Sequence, residues 1–264
     1  MPVDRTLWRH PPFKPVEPIR RQWRCPTCES GSLRLKAKTL HFAETRQSRE
    51  ARDEEDSNPS DPTIYRFAGI LECNSRQCSE VVLVAGVRYD YIDIDFWTDP
   101  DSGEEKYEQI DEEDFRIDYV NPSPPLITIP ENCPTAVTAA LKKAFVASWG
   151  DLWAAANHTR SCVEKLLDHL GEPQARNLHQ RIENYKERDE QRGSALLAVK
   201  WVGNVGSHAD DISREDVYDA FDIIEIVLKD VFSRDYSKVA KSVDAINKRF
   251  LSSTLSIYHN LRHN

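Results

Sequence analysis

Two cysteine pairs, Cys25-Pro-Thr-Cys28 and Cys73-Asn-Ser-Arg-Gln-Cys78, constrain this chain more than any other feature. A Cys-x2-Cys turn sets two thiolates on one tight knuckle, half of a tetrahedral site. A second, wider pair supplies the other half at metal–sulfur distances of about 2.3 Å. The flanks agree with this. Leu33, Leu35 and Ala37 alternate with Arg34, Lys36 and Lys38; residues 65–72 lead apolar into the second knuckle and 81–84 lead out of it. Strand, knuckle and strand on both sides predict a β-rich ribbon in which Cys25, Cys28, Cys73 and Cys78 bind structural zinc. Four thiolates leave no open position for a catalytic water. Without the metal, so small a β unit has too little core to hold itself. Ribbons of this kind contact DNA, RNA or protein, so the spacing predicts a metal and not a function.

The remaining composition narrows the setting. Six cysteines behind an N-terminus with no apolar signal-peptide core point to reduced thiols in the cytoplasm, not to a disulfide framework. No run approaches the roughly 18 apolar residues of a membrane span, so no membrane partner is expected. The net charge is −9, and its distribution says more than its sum. Residues 1–24 hold six basic and two acidic side chains, whereas 89–118 hold two basic and thirteen acidic. Contact with nucleic acid must therefore be local, because the acidic middle repels it.

In chain order, residues 1–24 read as an extended, proline-rich arm. Its Arg20, Arg21 and Arg24, with Trp8 and Trp23 nearby, are either phosphate contacts or solvated surface. Residues 25–130 read as the zinc ribbon and a β-rich region with acidic insertions. Within them, the polar and aperiodic stretch 44–62 is expected to be an extruded, mobile loop. Ile92, Ile94 and Phe96 alternate with Asp93 and Asp95, the period of a half-buried strand. A divalent site is not expected there, since alternation sends both aspartates to solvent and no glycine-centred loop accompanies them. The stiff connector Asn121-Pro-Ser-Pro-Pro125 and the extended Leu126-Ile-Thr-Ile-Pro130 lead into a helical region, residues 131–264.

Helices are predicted over about 136–149, from Gly150 to Gly171, from near Pro173, and over 194–208. A fifth starts at the capping signal Ser213-Arg-Glu-Asp216 and a sixth covers about 238–251. Short connections make this an antiparallel bundle. The fold class is α+β, a zinc ribbon followed by helices. Cys162 on an apolar helix face is an inert core thiol, and Cys133 sits before a proline.

The fourth helix carries the candidate chemistry. Lys200, Asn204 and His208 lie four residues apart and share one face. An ammonium, an amide and an imidazole make either a polyanion site or a buried hydrogen-bond cluster. Gly203 and Gly206 each cost a helix interior roughly 1 kcal/mol relative to Ala, so the chain is expected to use them for a close approach by a neighbouring helix or a ligand.

Residues of about 121–235 resemble the HEPN-like helical domain of unknown function also found fused to type I restriction subunits. Four passages carry the likeness: the Ile-Thr-Ile-Pro entry with Cys133-Pro134, Thr159-Arg-Ser-Cys-Val-Glu164, Leu178-His-Gln-Arg-Ile182, and Lys200-Trp-Val-Gly-Asn-Val-Gly-Ser-His208. An N-terminal zinc ribbon is a familiar attachment in that group. The resemblance implies a homodimer through the helical bundle, with RNA, DNA or another defence protein as partner. In catalytic HEPN ribonucleases two subunits pair their motifs and cleave RNA without metal. His208 matches the histidine that assists the attacking 2′-hydroxyl, and Asn204 matches the polar residue. The ribonuclease arginine is replaced by Gly203, and Lys200 stands where the family pattern has an arginine. Arg160, four residues before Glu164, supplies the missing cation if its helix packs on the fourth. Two functions follow. One is a nucleic-acid-linked or phage-defence binding module with a degenerate nuclease motif; the other is an active metal-independent ribonuclease using His208.

Overall fold

Two long runs rich in β-branched and aromatic residues, β3 (Thr63–Cys73) and β4 (Val81–Thr98), pair antiparallel across the second cysteine knuckle. They are the spine of the first half in the computed structural model, which describes residues 3–7, 11–13, 23–53, 61–98, 100, 103–204 and 212–232. Short strands β1 (Leu33–Leu35) and β2 (His41–Glu44) share the outer edge of β3, and β5 (Glu105–Asn121) pairs with β4. The spatial order is β1-β3-β4-β5, with β2 beside β3. Period-two alternation gives the sheet one buried face, carrying Phe67, Leu71, Val82, Val84, Phe115 and Ile117.

The second half is helical: α2 (Thr135–Ala147), α3 (Leu152–His169), α4 (Leu178–Lys186), α5 (Glu190–Asn204) and α6 (Arg214–Phe232), following the short α1 (Arg46–Asp53) of the first half. Side chains start three of them. Asp151 accepts from the Ala154 N–H at 2.9 Å, and Asn177 from Gln180 N–H at 2.8 Å. Ser213 and Asp216 bond reciprocally, with the Asp216 N–H donating to Ser213 Oγ and the Ser213 N–H to Asp216 Oδ2, a capping box. Gly171 takes φ +69 after α3, which a Cβ would resist. The α6 stripe of Val217, Phe221, Ile224 and Leu228 is fully buried, each side chain contributing about 1.5–3 kcal/mol.

One apolar core runs through both halves. At the seam the Trp23 ring packs on Trp149 at 4.9 Å, and the Trp149 indole N–H donates to Ser123 Oγ at 2.9 Å. Arg214 of α6 donates to the carbonyls of Ser148 and Trp149, the otherwise open end of α2. Arg5 pairs with Glu215, Asp219 and Asp222, and Phe13 sits edge-on to Phe67 and Phe115.

Several expectations change. Trp23 is a core residue, so it cannot serve phosphate, while Arg24 is exposed and Trp8, Arg20 and Arg21 lie outside the described residues. The expected loop after Glu44 holds α1: Thr45 Oγ accepts from the Ser48 N–H, Arg46 pairs with Glu50, and buried Ser48 accepts from the Ile64 N–H of β3. Local capping and one tertiary bond outweigh a polar composition that gave no periodic signal. Ile92, Ile94 and Phe96 were expected half-buried and are exposed: β3 begins opposite Asp90, and beyond that pair β4 and β5 run on as a two-stranded ribbon past the packed sheet. The third helix begins at Leu178, where Asn177 caps it, later than Pro173 suggested. The helix expected over 238–251 lies outside the described residues.

Candidate functional site

The two knuckles are built alike. After Cys28 the backbone turns through Glu29 at φ +53, and after Cys78 through Ser79 at φ +47. Backbone N–H groups then point at sulfur: Thr27 to Cys25 at 3.4 Å, Gly31 to Cys28 at 3.3 Å, and Ser75 to Cys73 at 3.5 Å. The Cys73 N–H donates to the Glu80 carbonyl, closing the second turn, and Asn74 Oδ1 receives the Ser32 N–H, tying the knuckles together.

All four sulfurs lie within 4.8 Å of one another, with Cys25–Cys78 and Cys28–Cys73 each 3.7 Å apart. Those separations exclude disulfides, which need about 2.05 Å. They match a tetrahedron instead, whose edges are about 3.8 Å for metal–sulfur bonds of about 2.3 Å. A Cβ at Gly31 would collide with Cys73 Sγ and crowd Cys28 Sγ at 3.2 Å, so the glycine keeps the cradle open. The Gly31 N–H draws the Cys28 thiol down to about 6, and burial pushes Cys73 up to about 12. Thiols this close do not all ionise unaided, and a bound divalent cation would deprotonate the set. The donor set therefore fits a thiolate-bound metal. Cys162 is buried with its thiol pushed up by desolvation, as an inert core residue should be.

The helical candidates are gathered where α3 meets α5. A Cβ at Gly203 would stand 2.8 Å from Arg160 Cβ and 3.1 Å from the Ala156 carbonyl oxygen, so this glycine does let α3 approach closely. Arg160 pairs with Glu164 at 3.3 Å, yet its Nε is buried without a hydrogen-bond partner. Lys200 is 6% exposed, with Nζ 3.6 Å from the centroid of the Trp201 ring. Burial, helped by the Arg160 charge, lowers its pKa. Among the described residues no carboxylate forms an ion pair with Lys200. The α3–α5 packing at Gly203 thus brings Arg160 close enough for its charge to act on Lys200. Asn204 is the last described residue of α5, its side chain outside the description, and Gly206 and His208 also lie outside the described residues.

Trp201, 52% exposed, lies 5.7 Å from the His179 ring of α4, whose Nδ1 is buried without a partner. A polar cleft of about 400 Å³, which shares Arg160 with this crossing, is lined by Arg160, Glu164, Lys165, Asp168, Asn177 and Arg181, among others. Arg181 anchors its wall, bonding Asp168 at 2.8 Å and the Glu172 carbonyl at 2.6 Å. Face-by-face counting misses Trp201, because it sits about 100° around the helix from Lys200. A tryptophan among the exposed positions of an otherwise patterned helix was the available signal.

Residues 16–116 match the family model described as a domain of unknown function (DUF8608), and residues 142–249 match a second, also a domain of unknown function (DUF4145). No curated protein and no solved structure matches the chain. Among the described residues no helix is long and apolar enough to cross a membrane. The chain is similar to a DUF8608 domain over its sheet and to a DUF4145 domain over most of its helices.

Proposed function

We propose that this protein is a zinc-stapled, HEPN-like module that binds single-stranded RNA on the face where α3 crosses α5. The observation that carries the reading is the half-exposed Trp201 where α3 crosses α5, with the part-exposed Arg160 guanidinium nearby and the buried Lys200 ammonium adding positive charge behind them; among the described residues Glu164 is the carboxylate paired with Arg160. Positive charge only partly compensated by Glu164 favours an anion at Arg160. An exposed indole offers a stacking platform for bases, and together these are the elements of single-strand binding. Zinc suits the four-cysteine cradle because all-thiolate tetrahedral sites select it. Its contribution is to staple the sheet half, leaving binding to side chains elsewhere.

The resemblance to domains fused to restriction subunits supports a role in defence against phage, with two copies pairing their helices so that Asn204 and His208 share one cleft. Binding is favoured over cleavage because the space a ribonuclease arginine would need at position 203 is filled by Arg160. The test is fluorescence anisotropy with a labelled single-stranded oligonucleotide, using full-length protein, in parallel with cleavage assays in EDTA. Trp201→Ala is expected to weaken binding by about 5- to 100-fold, the worth of one base–aromatic stack. Arg160→Ala is expected to lower the salt dependence of affinity by about one phosphate contact. Absence of binding at low salt sinks the reading. RNA cleavage lost in His208→Ala would replace it with the ribonuclease.

A further inference from the structure

The β4–β5 hairpin outruns its sheet. Strand β3 reaches only as far as the pair Thr63↔Asp90, while β4 and β5 remain paired to Thr98↔Glu105. Residues 91–98 and 105–112 therefore form a two-stranded ribbon beyond the covered sheet. The register puts Ile92, Ile94, Phe96 and Tyr107 on one face, the same face that lower down buries Val82, Val84, Phe115 and Ile117. Here these side chains are exposed, Phe96 to 70% and Tyr107 to 67%, with their rings 6.3 Å apart.

The boundary between covered and uncovered sheet shows what this face takes. Arg88 lies over Phe42 at 4.5 Å and Tyr65 at 4.9 Å, and its guanidinium pairs with Asp90 and with Glu113 at 3.5 Å. Aromatic faces and flanking carboxylates hold one arginine at the edge of the core. Further out the same face repeats the pattern with Phe96, Tyr107, Asp111 and Glu105. Residues 91–112 contain nine acidic residues and one lysine. That charge opposes pairing of two such ribbons and repels nucleic acid. It attracts a cationic protein segment, and an apolar stripe of this kind marks a contact surface.

We propose that the ribbon is a docking site for an arginine-bearing segment of a partner protein, whose guanidinium groups stack on Phe96 and Tyr107 as Arg88 stacks on Phe42 and Tyr65. The site is independent of the RNA face. Planar guanidinium stacks and bridges carboxylates in ways a lysine ammonium does not, so arginine is preferred.

The experiment uses full-length protein and two fluorescein-labelled peptides, one alternating arginine with valine and one alternating lysine with valine, read by anisotropy at moderate salt. The arginine peptide is expected to bind at least three-fold more tightly than the lysine peptide. The variant Phe96→Ser/Tyr107→Ser, which keeps every charge, is expected to lose at least ten-fold in affinity for the arginine peptide with an unchanged melting temperature. A charge-preserving variant that binds as tightly as wild type overturns the proposal, since attraction is then charge alone. So does sedimentation showing wild-type dimers that this variant abolishes, which would make the occupant a second copy.

Discussion

The two ends of the β4–β5 hairpin share strands and register but not surroundings. At the Val81 end, β3 covers one side, the second cysteine knuckle sits just before the strand, and Val82, Val84 and Val120 are buried. At the Thr98 end the same alternation continues with no third strand beside it among the described residues, and equally apolar side chains face solvent. Alternation in a sequence thus specifies which side chains share a face; whether that face is buried depends on whether packed elements reach it. The covered end is suited to stability and the bare end to recognition, and the difference can be probed from both directions.

The largest effect belongs to the covered end. Cys73→Ser, or prolonged chelation, should remove about one zinc per chain and unfold the sheet half, because structural zinc sites contribute roughly 10 kcal/mol or more of apparent binding energy. Metal analysis with circular dichroism checks this, and a Cys73→Ser protein that melts like wild type would deny the cluster any structural role. Next comes Trp149→Ala, which empties the seam and should cost about 3–5 kcal/mol in denaturant unfolding. A loss confined to the helices would show that the halves are less coupled than their shared core implies. Ile94→Ser at the bare end should shift stability by no more than about 0.5 kcal/mol. A larger loss would mean that the ribbon face is covered in solution.

The smallest effect concerns the helical half and is read by pH. The Arg181 guanidinium holds Asp168 below its usual carboxylate range. Its stabilisation is present above the ordinary carboxylate pKa of about 4 and is lost as pH falls through the lower folded value. The Asp168 side chain is 41% exposed, so screening limits the expected gain to about 0.5 kcal/mol. Asp168→Asn should lower the melting temperature by about 1–2 °C at pH 7, and the difference should shrink as the pH is lowered below about 4.

Much of this was readable from residues alone. The cysteine spacing located the metal cradle, and Gly203 foretold the close crossing that brings Arg160 to Lys200. Other features depend on information no local pattern holds. Helix α1 rests on Thr45, Arg46 and Ser48, whose capping and tertiary bonds leave no apolar period. Trp23 looked like part of a basic arm because its partner, Trp149, lies far along the chain. Exposure of Phe96 follows from where the packed sheet ends, at the Thr63 end of β3. Trp201 escaped notice because helical periodicity sorts residues by face, and its neighbours defined a different one.

The Trp23–Trp149 stack has a practical corollary. Trp23 lies two residues before Cys25 of the four-cysteine cluster, and Trp149 lies just past the end of α2. If the cluster holds a metal, emission from this pair should respond when it leaves, so the chain would report its own occupancy optically without any attached dye.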